Sequence, residues 1–512
     1  MDRRRGVLRT ARTTAFCAAL LVAGCGSDSQ TSTVATTNAR GTLIQNPPIR
    51  LASADATTLA AQVGGTTLGP ELLQLAGTPT CGVDLYYFEY WTVGAKNEPA
   101  TASGALMVPN GSAAQCSGAR PIVLYGHGVT TDKAYNIADI TDPSNLDGPV
   151  AAVVFAAQGY IVVAPNYAGY DISSLSYHPF VVADQNAKDM IDALTAARAA
   201  LPNTFTPGTT DSGQLFLAGY SEGGYEAMAT LRELQAESKS VTATAGMSGP
   251  YALEAFGDAT FYGAVFFGST FFAPMIVNSY QNAYGNLYTS LTDIYEPQYT
   301  TGIVTQLPST LSTTAIIENG GLPQSALFSN TPPETGNPTL DAALAVPSNP
   351  LYAAGFGPSN LITNNYRLSY VLDAVAHPDG AVPTPEPGVP LSATAQQPLR
   401  AGLRLNDMRN GAWVPMSPVL LCGGDQDPTV FFPVNTGTMA AFWGSLPTGL
   451  VTVLDVNATP IAGSPSAPLQ QAFQEGIAGI LASGGEQTVI EEYHDFVRPF
   501  CAVAARSFFS QF

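Results

Sequence analysis

The stretch Gly219-Tyr220-Ser221-Glu222-Gly223 stands between the apolar run "GQLFLAGYS" and "EGGYEAMATLRELQAES", whose apolar residues recur three and four apart. The first reads as a buried strand and the second as a helix. A strand that turns at once into a helix needs small residues two positions before and after the corner, and Gly219 and Gly223 supply them. Such a turn presents the Ser221 hydroxyl above the sheet at a helix N-terminus. There the helix dipole and free N–H groups favour negative charge on a substrate oxygen. Ser221 is expected to be a nucleophile.

A serine nucleophile needs a base, and the chain has four histidines. His127 lies in a Gly-His-Gly turn directly after a strand, where its backbone matters more than its ring. His178 in "SYHPF" and His377 in "VAHPDG" precede prolines in loops and read as structural or surface residues. His494, in "EEYHDFVRPF", is expected between the last strand region and a helix. Elbow enzymes of the α/β-hydrolase type run in the chain order serine, acid, histidine, which selects His494. The acid should follow the strand "PVLLCGG", where Asp425 and Asp427 both stand. The spacing G-x-x-D-x-x-V, from Gly424 to Val430, favours Asp427 and leaves Asp425 as a turn residue. An acid in this place orients the imidazole without itself taking the proton.

An oxyanion needs about two preorganised N–H donors. The backbone N–H of Glu222, next after the nucleophile, is one candidate. Val129 in "GHGVT" is the other, with Gly128 permitting close approach. Gly128 is expected to line the substrate pocket, and Tyr167, following "APN" at a neighbouring strand end, is expected either to line it with Gly128 or simply to pack.

These residues need a scaffold. "VDLYYFEYWTVGAKNEPATASGALMV" reads as an antiparallel hairpin, followed by apolar runs in "PIVLYGHGV" and "GYIVVAPNYAGYD". "VADQNAKDMIDALTAARAAL" has helical spacing, "VTATAGMSG" is a short strand, and "SPVLLCGG" and "TVLD" resume the pattern late in the chain. Strands alternating with helices imply a mostly parallel sheet with helices on both faces. Residues 251–400 break the alternation, with 13 Phe or Tyr from Tyr251 to Tyr299 and no charge between Asp258 and Asp293. Gly263, Gly268, Pro274 and Asn278 weigh against a membrane span there, so the segment is expected to be an inserted helical cap.

The elbow, the HG loop, the late Asp and the late His together resemble the α/β-hydrolase superfamily over roughly residues 80–512 outside the insertion. More narrowly, "PIVLYGHGVTTD", "SYHPFVVADQNAKDMIDALTAARA", "GYSEGG" and "GGDQDPTV" resemble bacterial relatives of the fungal secretory lipases. The resemblance implies the α/β-hydrolase fold, Ser221, Asp427 and His494 as a triad, hydrolysis of carboxylic esters, and a lid inserted before the strand bearing the acid.

The bulk numbers bound the alternatives. Across 512 residues, 46% hydrophobic and 12% charged content describes a globular chain with a large core. A formal charge of −19 removes the electrostatic case for nucleic acid. Arg3, Arg4, Arg5, Arg9 and Arg12 precede the apolar stretch "AFCAALLVAG", which reads as a secretory signal over residues 1–24. "LVAGC" resembles the lipobox of bacterial lipoproteins, with Cys25 as the lipidated residue and a bacterial membrane as the partner. The expected organisation is a tether and N-terminal segment at 25–75, hydrolase core at 76–250, cap at 251–400 and hydrolase core again at 401–512.

After export, four cysteines remain for an oxidising compartment. Three pairings are open, and the shorter closures Cys81–Cys116 and Cys422–Cys501 are favoured. No Cys-x-x-Cys or His-rich spacing suggests a metal, and no organic cofactor is implied. The expected function is an exported, lipid-anchored serine esterase or lipase acting on small-molecule or lipid esters. The alternatives are a serine peptidase related to prolyl peptidases, and a non-catalytic surface binding protein on the same fold.

Overall fold

The computed structural model describes residues 39–65, 69–206, 208–378, 391 and 395–512. The expected signal at 1–24, the lipidation residue Cys25 and the first part of the tether lie outside the described residues. Nine strands form one sheet: β1 (Ile49–Ala54), β2 (Gly82–Val93), β3 (Pro99–Asn110), β4 (Gly118–Gly126), β5 (Ile161–Pro165), β6 (Thr209–Tyr220), β7 (Ala243–Met247), β8 (Val419–Gly423) and β9 (Val451–Asp455). Their order is β1-β2-β3-β5-β4-β6-β7-β8-β9. The pairings up to β3–β5 are antiparallel, and every later one is parallel. Strands β4 to β8 carry apolar runs such as "IVVAP" and "VLLCG" that are buried at every residue of β5, β7 and β8. Burial on both faces is what covering helices impose on a parallel sheet.

The helices close both faces. Helix α1 (Ala183–Ala200) packs on β2 and on α2 (Glu222–Ala236), which follows β6 directly. The last helix, α3 (Ala467–Phe509), crosses β6, β7 and β8. It is broken at Gly485, whose φ of 80° and ψ of −176° leave the helical region and suit a residue without Cβ. Beyond the break, Tyr493, Phe496, Val497, Phe500 and Cys501 are buried at helical spacing. This run places His494 inside the helix, which corrects the expected position between a strand and a helix. The sheet also begins earlier than residue 76, because Ile49–Ala54 pairs along the edge of β2.

Between β7 and β8 the chain leaves the sheet, as expected of an insertion. It forms α4 (Leu253–Phe261), α5 (Ser269–Tyr284), α6 (Asn364–Ala376) and α7 (Pro398–Asn406), with long irregular connections. A parallel pair of two-residue strands, Phe328–Ser329 with Phe356–Gly357, lies among them. The fully buried Arg400 of α7 joins three elements. Its Nε and Nη2 donate to the two carboxylate oxygens of Asp258 on α4 at 2.8 and 2.9 Å, and Nη1 donates to Asp373 of α6 at 3.2 Å. Two-point pairing of this kind offsets the loss of hydration only while every partner is present. Among the described residues, no helix is long and apolar enough to cross a membrane.

Two disulfides close the pairings favoured from the sequence, Cys81–Cys116 and Cys422–Cys501. The second joins β8 to α3 across 79 residues of chain. Replacing both Cys422 and Cys501 with Ser should cost about 4 kcal/mol on the chain-entropy scale for so long a loop. The check is denaturant unfolding of the double variant beside the parent, read as a lower midpoint.

Candidate active site

At the corner between β6 and α2, Ser221 has φ 57° and ψ −121°, a conformation that L-residues seldom adopt. Its backbone is held by donation of its N–H to Met247 O at 2.8 Å and by its carbonyl, which accepts from Gly224 N–H at 3.0 Å. A Cβ on Gly219 would collide with the carbonyl of Gly223, and a Cβ on Gly223 with that of Gly126. Both glycines are required because peptide groups touch there.

His494 and Asp427 meet Ser221 from two other parts of the chain. The Ser221 hydroxyl donates to His494 Nε2 at 2.9 Å, and His494 Nδ1–H donates to Asp427 Oδ2 at 2.7 Å. The carboxylate accepts only, so it fixes which ring nitrogen carries hydrogen. Asp427 is 1% exposed, and its Oδ1 accepts the N–H groups of Thr429 and Val430 at 2.9 and 3.0 Å. Val430 is thus tied to the acid, which gives the G-x-x-D-x-x-V spacing a physical basis. Asp425 is exposed, accepts from Asn457 Nδ2 at 2.7 Å and receives no imidazole.

The helix bearing His494 is fixed by residues the sequence reading passed over. Tyr220 OH donates to the backbone carbonyl of His494. Arg498, one turn further along, lies 4.8 Å over the Tyr220 ring and pairs with Asp147 and Asp495. Those carboxylates hold the Arg498 guanidinium charged in spite of burial, which acts the other way. Asp147 Oδ2 in turn accepts the N–H of Gly128 at 3.0 Å, and its Oδ1 accepts Tyr125 OH at 2.6 Å. The spacing of Arg498 four residues after His494 was a visible signal once the segment is read as helix. Asp147 had none.

Gly128 and Val129 face Ser221 across the mouth of a cavity of about 1050 Å³, which Phe266, Phe272 and His494 also line. Tyr167 does not line it. That expectation is corrected: Tyr167 is 1% exposed, stacks on His127 at 4.1 Å and donates its hydroxyl to His127 O at 2.9 Å. Its φ of 67° turns the ring away from the cavity and under the HG loop. Burial pushes the His127 imidazole down, so the ring stays neutral. His377 Nδ1 pairs with Asp373 at the end of α6 in the insertion.

The side chain of Glu222 turns away from the cavity into the core, where Oε1 meets His178 Nε2 at 2.6 Å. Glu226, one turn along α2, is fully buried beside it. Desolvation, then Glu222 and Asp189, push the Glu226 carboxyl well above the usual carboxylate range. His178, Glu222 and Glu226 bring ligand-type atoms within 4.8 Å of one another. Two ligands of a tetrahedral zinc ion stand about 3.4 Å apart, given metal bonds of about 2.1 Å. The 2.6 Å His178–Glu222 contact is a hydrogen bond. A proton joins them.

Chemically, the arrangement offers a hydroxyl bonded to an imidazole, a carboxylate behind it, and helix N-terminal donors beside it. Those are the parts of acyl transfer through serine.

Known proteins agree with this geometry at the level of fold. Residues 149–264 match the model of the prolyl oligopeptidase family. A ligand-bound form of the rice cell wall degrading esterase LipA from Xanthomonas oryzae is similar at 25% identity and a TM-score of 0.64. The match covers 92% of this chain and 98% of that one. A putative hydrolase from Legionella pneumophila is similar at 19% identity and a TM-score of 0.61, covering 92% of this chain and 97% of that one. No curated protein matches the chain significantly. With a mostly parallel sheet, a serine at the strand–helix corner and these likenesses, the chain is a serine hydrolase of the α/β-hydrolase superfamily.

Proposed function

We propose that the protein is an exported serine carboxylic-ester hydrolase, with Ser221, His494 and Asp427 as its triad. The observation that carries this reading is the unbroken hydrogen-bond chain from Asp427 through His494 to Ser221 beside a large cavity. Ser221 Oγ attacks the ester carbonyl carbon while His494 Nε2 takes its proton. The carbonyl oxygen becomes an oxyanion, received by the N–H groups of Glu222 and Val129. The C–O bond to the alcohol breaks, and His494 gives the alcohol its proton, leaving an acyl-serine. Water then repeats the sequence with His494 as base and releases the acid and free Ser221. Asp427 keeps its charge throughout and stabilises the imidazolium.

Likeness to a cell wall degrading esterase along nearly the whole chain supports ester over amide substrates. The prolyl oligopeptidase match over residues 149–264 favours a peptidase as the second reading. That match spans the elbow and the central strands β5, β6 and β7, parts that esterases and peptidases of this fold share. Export is supported by the two disulfides and by the signal-like N-terminus. Lipidation at Cys25 would then hold the enzyme on a bacterial membrane.

Purified residues 26–512 should hydrolyse p-nitrophenyl esters, and Ser221→Ala should abolish turnover. Turnover of a prolyl p-nitroanilide with little ester activity would transfer the assignment to peptidase. Asp427→Asn is expected to lower kcat by about ten-thousandfold, since the amide no longer fixes the tautomer, whereas Asp425→Asn should stay within about twofold, as befits a substitution away from the relay. Steady-state kinetics on the same ester separates the two carboxylates. In a bacterial host, Cys25→Ser should move the full-length protein from the membrane fraction to the soluble one.

A further inference from the structure

Glu222 has two ends with different tasks. On the triad reading its N–H serves the oxyanion, yet its carboxylate is a negative charge on the same residue. The side chain is 1% exposed, turned beneath the elbow toward His178. His178 Nδ1–H donates to Ala168 O at 2.9 Å, which aims Nε2 at Glu222 Oε1. The Ala168 carbonyl accepts, so Nδ1 carries hydrogen, and one further proton lies in the 2.6 Å contact between Nε2 and Oε1.

The same imidazole touches the other side of the site. Its ring packs 4.6 Å from Tyr170 and 5.8 Å from Tyr167. Tyr167 OH holds the carbonyl of His127 at 2.9 Å, and Tyr170 OH holds that of Thr130 at 2.8 Å. These two carbonyls bracket Gly128 and Val129. Gly169, at φ 105°, stands where a Cβ would run into the Cα of His178 and the carbonyl of Tyr177, so the two backbone segments touch there.

We infer that His178 is a positioning residue that sets both halves of the oxyanion site. It pins the Glu222 carboxylate below the elbow and braces, through Tyr167 and Tyr170, the loop that presents Val129. The inference rests on Ser221 as nucleophile. Without His178, the buried Glu222 carboxyl loses its 2.6 Å partner and is left unsatisfied beneath the elbow, on the residue whose N–H would receive the oxyanion.

A fluorophosphonate tests this without any choice between ester and peptide substrates. Ser221 Oγ bonds to phosphorus, fluoride leaves, the serine proton passes to His494, and the phosphoryl oxygen occupies the oxyanion site. His178→Leu, which keeps volume but no N–H, should slow inactivation about a hundredfold, the scale of losing one oxyanion donor. On a p-nitrophenyl ester, kcat should fall similarly with KM within about twofold. Adding Glu222→Gln to His178→Leu should recover at least about tenfold, because the unpartnered carboxyl is replaced by an amide that is neutral in every state. Tyr170→Phe, a milder change, should slow inactivation by about three- to tenfold through one lost buried hydrogen bond.

A double variant as slow as His178→Leu would mean a packing role and overturn the inference, as would a His178→Leu protein that reacts like the parent. If His178→Leu does not fold, Tyr170→Phe decides, and an unchanged inactivation rate sinks the idea. One equivalent of tightly bound zinc in the purified protein, lost in His178→Leu, would replace positioning with a metal site. A parent protein inert to the fluorophosphonate would remove Ser221 as nucleophile and this inference with it. Reaction of the parent with no effect of His178 removes only the inference.

Discussion

Peptide-on-peptide contact between Gly223 and the carbonyl of Gly126 is the constraint from which the rest of the site follows. It lets α2 start directly over the ends of β4 and β6, with no connecting residue except Ser221. The helix N-terminus and the HG loop are thereby brought to opposite sides of one hydroxyl. Ser221 sits at a positive φ because no relaxed backbone makes so abrupt a turn. That strain is borne by the surrounding sheet, where β6 lies between β4 and β7 and is hydrogen-bonded on both edges.

Around this corner, charge is handled by pairing inside the protein. Asp427 has His494 and two backbone N–H groups, Arg498 has Asp147 and Asp495, and Glu222 has His178. Three of these contacts, His494–Asp427, Arg498–Asp147 and Glu222–His178, also join pieces of chain that are remote in sequence. Arg498 links the His494 helix to Asp147, which holds the Gly128 N–H. His494 and the Gly128–Val129 loop are therefore parts of one polar network. In the cap, Arg400 performs the corresponding task among α4, α6 and α7.

Much of this was legible in the sequence because it depends on local pattern. The strand–Ser221–helix corner, the hairpin and the strand before Asp427 are each encoded in one continuous stretch of chain. Asp427 could be chosen over Asp425 because a turn spacing reports backbone geometry. What was missed depends on distant packing. Tyr167 carries no local sign of whether its ring faces the cavity or the core, and its unusual φ decided that. The helix of His494 holds Gly485 and Pro499, residue types that disfavour helix interiors, although only Gly485 leaves helical geometry. His178 was read as structural, and only the fold brings it 44 residues along the chain to Glu222.

The Cys422–Cys501 bridge ties the strand that leads to Asp427 to the helix that carries His494. Asp427 and His494 are 67 residues apart in the chain, while Ser221 and its elbow are complete by the end of α2. Without the bridge, the strand before Asp427 and the helix of His494 would be held together by noncovalent contacts alone. The covalent bond thus falls between the two segments that must meet, and not within the corner that already holds Ser221.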